Sequence, residues 1–248
     1  MTFFNYSVPP LRRKQLNLDV QELEGIWHVQ FALGKERSYS TFYTCLDRAC
    51  LMWSLLLIPM FGTAQFFPVS WMLQAGLWSV LSLVGTVAMV SWTYCWVKKE
   101  RLTWVLYGWV ILMLLGLLLT DLGIFLGWGK VLANLCPLWL GMSGIGYFWT
   151  GLAVRSRALL AASFFHLLGI LILPFTGGWS FLFTGAVMVF SLLVLAELQW
   201  DMRHPINHAA LTPEQQHFNH EQHRIRELST SSITDKLSVI SHQYMAND

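Results

Sequence analysis

From Ala49 to Leu198 the chain is a series of apolar runs separated by short breaks of charge, proline or glycine. An uncharged apolar run near twenty residues long matches, as a helix, the hydrocarbon thickness of a bilayer. Six such helices are predicted, over 49–67, 69–97, 102–120, 131–154, 158–173 and 179–198. Pro68 closes the first, Lys98-Lys99-Glu100-Arg101 the second, Arg155-Ser156-Arg157 the fourth and Pro174 the short fifth. The stretch from Asp121 to Lys130 is too rich in glycine to continue the third. Short connections make neighbouring helices antiparallel, which gives three consecutive hairpins. No internal repeat is visible, so an inverted-repeat transporter gains no support.

The flanks are polar with apolar threads. Val20, Leu23, Trp27 and Phe31 recur near helical spacing and predict an amphipathic helix over about 19–33, with a strand containing Val29 and Phe31 as the competitor. In the tail, Thr212-Pro213-Glu214-Gln215 has the form of a helix start, and that helix should reach about Leu228. Ile233, Leu237, Ile240 and Tyr244 then form a narrow stripe that could dock on a partner or on the membrane domain. The expected fold class is an all-α polytopic membrane protein, six transmembrane helices in three consecutive hairpins with helical cytoplasmic flanks. Its segments are 1–48, 49–198 and 199–248.

Charge sets the orientation. With the N-terminus cytoplasmic, every Lys and Arg of the 16 falls on the cytoplasmic side except Lys130. That bias fits the positive-inside rule and an even number of spans, with both termini cytoplasmic. Composition agrees: 55% of the chain is hydrophobic and only 12% is charged, about half the usual share for a soluble protein. A soluble enzyme, a secreted disulfide scaffold and a disordered protein are thereby excluded. The N-terminal order, apolar residues before Arg12, Arg13 and Lys14, is the reverse of a secretory signal, so neither a cleaved signal nor a lipid anchor is expected. A plasma (inner) membrane of bacterial type is the expected location, an organelle membrane the alternative. The partners expected are the lipid bilayer and a protein docking on the C-terminal tail or the N-terminal amphipathic segment. Nucleic acid is not a partner, because no basic stripe interleaved with aromatics is present.

Candidate chemistry is sparse. Cys45 and Cys50 fit neither a redox nor a zinc spacing, and Cys95 and Cys136 read as small core residues. His204 and His208 are four apart, but Pro205 interrupts them; His217, His220 and His223 drift around a solvated helix. Neither a metal site nor a cofactor is expected. His166, in the middle of the fifth run, is the most informative residue, because an ionisable group at that depth is costly and faces the bundle interior. It is expected to hydrogen-bond another span, with the glycine-rich fourth helix as neighbour. Gly144 and Gly151, seven apart, share a face there and make that helix the most tightly packed. Asp121 lies at the outer end of the third helix. Glu197 lies at the inner end of the sixth, within reach of Arg155, Arg157 or Lys98. Gln74 and Asn134 add uncharged polar groups. Intramembrane tryptophans such as Trp53, Trp109 and Trp139 serve packing, or a bound pigment, lipid or quinone. The leading functional expectation is a non-enzymatic accessory, assembly or scaffold factor. The alternatives are a small transporter or channel using His166, Gln74 and Asn134, and a membrane redox or cofactor-binding protein.

Overall fold

The structure, a computed structural model, describes residues 3–6, 8–15, 18–33, 37–203, 211–226 and 228; the side chains of residues 31–33 and 37–39 lie outside that description. The tail stripe from Ile233 to Tyr244 and the histidines His204, His208 and His242 fall outside it too. Six long helices form the body: α2 (Cys45–Phe66), α3 (Trp71–Lys99), α4 (Thr103–Phe125), α6 (Leu135–Val154), α7 (Arg157–Ile172) and α8 (Ser180–Glu197). Between α4 and α6 lies a single turn, α5 (Gly129–Leu132). Five of the six long helices, including α7 and α8 with their 3-10 extensions, are long and apolar enough to cross a membrane. The chain is mostly helical, and its five long apolar helices fit an all-α membrane protein. The exception, α6, is diluted by Trp139, Trp149, Tyr147 and its glycines, and eleven of its 20 residues are buried. It is the most enclosed helix, as its glycines predict.

Local chemistry sets the helix ends. Thr44 and Asp47 form a capping box, so α2 begins four residues before its apolar run. Ser70 and Ser156 cap α3 and α7. The turns after α3 and α6 each place an arginine, Arg101 and Arg155, in the left-handed region. α4 runs past its predicted end at Thr120 to Phe125, where Gly127 at φ +64° turns the chain away.

The N-terminal flank corrects the sequence reading. The helix expected over 19–33 is one turn only, α1 (Val20–Leu23), broken by Gly25 at φ +73°. From Trp27 the alternation of Trp, Val, Phe and Leu prevails over the helical spacing. Strand β2 (Trp27–Leu33) pairs antiparallel with β3 (Arg37–Tyr43), which is itself rich in Thr, Tyr and Phe. β1 (Leu11–Arg12) pairs with β4 (Gln199–Trp200), joining the two flanks, so they are not purely helical. The tail helix α9 (213–226) starts on the expected Thr212–Gln215 box.

Neighbouring helices pack side by side in a ring: α2 on α3, α3 on α4, α4 on α6, α6 on α7, α7 lightly on α8, and α8 along the length of α2. Gly144 and Gly151 both face α7, next to His166 and Leu160. A Cβ at Gly151 would stand 2.9 Å from Leu160 Cδ2 and 3.1 Å from the Leu160 backbone nitrogen, which cannot give way. Gly151→Ala should therefore cost about 1–3 kcal/mol, the range for overpacking. Gly62→Ala, with no atom within 4 Å, should not lower stability. Thermal unfolding in detergent checks this; equal melting of Gly151→Ala and wild type would refute the close α6–α7 approach.

Candidate functional site

The ring encloses a cavity of about 180 Å³ with an almost wholly apolar wall. α2 contributes Trp53 and Met60, α3 Ser82 and Trp96, and α4 Trp109. α6 supplies Trp139, Ser143 and Tyr147, and α7 supplies His166. Several of the tryptophans that the sequence leaves between packing and ligand binding therefore line this space. Three buried polar atoms of the wall have no hydrogen-bond partner among the described residues: Ser82 Oγ, Trp139 Nε1 and His166 Nε2. Unpaired buried polar groups are rare, because each forfeits its hydration.

His166 is completely buried. Its Nδ1 lies 2.8 Å from the carbonyl oxygen of Ala162, one turn back on α7. A carbonyl only accepts, so Nδ1 carries the proton and the neutral ring presents a lone pair at Nε2. The expected hydrogen bond to another span is thus not made; the bond is internal to α7. The expected neighbour is correct: the ring lies 5.0 Å from that of Tyr147 on α6, and Gly144 gives it room.

The other candidates are not gathered here. Gln74 is buried and donates through Nε2 to Met60 O and Thr63 Oγ1, both at 3.0 Å, tying α3 to α2. Trp78 Nε1 donates to the same Met60 carbonyl. Asp121 Oδ2 accepts from Ser79 Oγ at 2.8 Å, joining α4 to α3. Asn134 donates to the Lys130 carbonyl within its own turn. Glu197 accepts from Tyr43 Oη at 2.8 Å and meets none of the cations expected for it. Among the cysteines Cys136 is buried, whereas Cys95 is exposed on the outside of α3 and is not a core residue. Among the described residues no three His, Cys, Asp or Glu side chains gather as a metal site.

A polar network, absent from the sequence reading, seals one end of the cavity. Asp201 has no side-chain exposure and accepts from Ser156 Oγ, from the backbone N–H of Arg157 and Ala158, and from Arg157 Nε at 2.8 Å. Arg157 also donates to the carbonyls of Asn5 and Val8. Arg203 donates to the Glu100 carbonyl and carboxylate, at the end of α3, and its backbone N–H bonds Val154 at the end of α6. Glu100 accepts from Gln21, Gln21 from Asn219 on α9, and Asn219 from the Val20 backbone. The charges just after the last apolar run were the available signal; the sequence reading used Arg203 only for orientation and passed over Asp201. No protein-family model, curated protein or solved structure matches the chain.

α9 docks through Arg226, which pairs with Asp19 at 2.6 Å and approaches Glu22 at 3.8 Å. Burial, then the nearby Asp19, push the Glu22 carboxyl up to about 7 against the pull of Arg226. Burial raises Asp19 as well, again against Arg226, with His220 also lowering it. A carboxyl raised in the folded state binds its proton more tightly there. Its contribution is complete below the ordinary glutamate value and is lost as pH rises through about 7. Amide exchange over 213–226, corrected for intrinsic rate, should show stronger protection at pH 6 than at pH 8. Glu22→Gln, which keeps the capping acceptor, should flatten most of the difference. Protection that rises with pH in the wild type would contradict this assignment.

Proposed function

We propose that the protein is a six-span, non-enzymatic membrane accessory factor that holds a small apolar ligand inside its helix ring, with both termini cytoplasmic. The observation that carries this reading is the aromatic-walled cavity with three unpartnered polar atoms on its surface. The sixth span is α6: it is 20 residues long, about 30 Å of helix, and it packs against α4, α7 and α8, three of the five helices that meet the membrane criterion. Its lower hydropathy follows from facing protein instead of lipid. The charge asymmetry supports three hairpins with the sealed end cytoplasmic, because Lys98, Lys99, Arg101, Arg155 and Arg157 all lie in the turns at that end.

The transporter reading is weaker on this geometry. Gln74, Asp121, Asn134 and Glu197 are engaged by partners in four separate places, which forms no polar path across the bundle. A macrocyclic cofactor is disfavoured by volume, since about 150 Å³ of dry cavity accommodates a benzene-sized guest.

The test has two readouts. In a background with the four cysteines replaced, Gly178→Cys should label from outside intact cells and Lys98→Cys should not; the reverse pattern would overturn the orientation. Solvent extracts of the purified protein should contain an apolar compound in near-equimolar amount. Ser143→Leu, which fills the wall, should lose the compound while keeping its thermal transition. Extracts of the wild type with no such compound would overturn the ligand-holding role.

A further inference from the structure

Two of the three unpartnered atoms, on His166 and Trp139, belong to the tightly packed pair α7 and α6. His166 faces Gly144 and Tyr147 on α6, near Ser143; Trp139 is one turn further along that helix. Towards the sealed end the wall includes Leu46, Val97, Leu102 and Leu195, and the hydroxyls of Thr93 and Thr150 are spent within their own helices. A volume of about 180 Å³ holds a guest little larger than benzene and not a broad ring system.

The hydrogen-bonding sense of these atoms narrows the class of ligand. His166 Nε2 is an acceptor in need of a donor, because Nδ1 spends the ring's proton on Ala162. Trp139 Nε1 is a donor in need of an acceptor, and the Ser82 hydroxyl can act either way. An ionised head group is excluded by the cost of burying charge in this wall. Carbonyl, ester and ether oxygens accept only and leave Nε2 unserved. A hydroxyl donates and accepts at once.

Resting on the ligand-holding role proposed above, we infer that the ligand is a small neutral alcohol, its hydroxyl donating to His166 Nε2 and its apolar part filling the rest of the cavity. Bromine quenches tryptophan, and five tryptophans line the cavity: Trp53, Trp96, Trp109, Trp139 and Trp200. The full chain in detergent is titrated with 3-bromopropanol, its methyl ether and 1-bromopropane, and the saturable quenching is read above the linear background of freely dissolved probe. The alcohol should bind roughly three- to tenfold more tightly than either the ether or the alkane, the span of one net hydrogen bond. His166→Leu should bring the alcohol to the affinity of the alkane, and His166→Gln, which retains an acceptor, should restore part of the difference. Equal affinity of alcohol and ether in the wild type, or a preference that survives His166→Leu, overturns the alcohol assignment and leaves the ligand-holding role standing. Absence of saturable quenching by all three probes overturns that role, and the assignment with it. The alcohol–ether comparison needs no substitution, so it decides the matter even where a variant fails to fold.

Discussion

Asp201 lies just past the last long helix, where its carboxylate takes the first free N–H groups of α7 and the guanidinium of Arg157. The charge sits at the positive end of a helix dipole, and every bond it accepts is charge-assisted. Through Arg157 it reaches the carbonyls of the N-terminal segment, and through its own backbone it continues from β4 to the Pro10 carbonyl. Two residues on, Arg203 does the complementary work at the carbonyl ends of α3 and α6. One short strap therefore satisfies helix termini of opposite sign, which a membrane protein must do wherever its turns are sheltered from water.

That strap bears on the cavity. α7 touches α8 only lightly, so the ring is weakest between them. Fixing the start of α7 to the chain that leaves α8 closes this side without filling the interior. The interior is then left with bulky rings that meet edge to face, such as Trp78 on Trp139 and Trp109 on Tyr147, and these do not fill space as aliphatic side chains would. A polar clasp at one end and stiff aromatic walls between helices leave a narrow apolar space, with His166 deep within it.

How much of this was legible in the sequence depends on range. The apolar runs and their charged breaks marked the six long helices within a few residues, because helix length in a bilayer is a local property. Gly144 and Gly151 indicated the close α6–α7 pair because their spacing is local too. At Val20, Leu23, Trp27 and Phe31 helical and alternating periods overlap, so the sequence prefers a helix with a strand through Val29 and Phe31 as competitor, and cross-strand pairing decides for the strand. The Asp201 clasp was not legible, since it joins residues more than forty positions apart and no spacing rule links them. The internal bond of His166 was missed for a different reason. Depth in the membrane shows that a histidine needs partners, but not that the carbonyl one turn back supplies the first.

The thermal unfolding of Asp201→Ala tests the clasp most directly. Removing one partner of a buried pair costs about 3–5 kcal/mol, because Arg157 and two helix N–H groups lose their acceptor. For a chain of 248 residues this corresponds to a fall in melting temperature of roughly 6 °C or more. Glu197→Ala, which removes a carboxylate bonded only to the Tyr43 hydroxyl at an exposed position, should fall far less. Melting of Asp201→Ala within a degree of wild type would contradict the view that this carboxylate holds the ring closed.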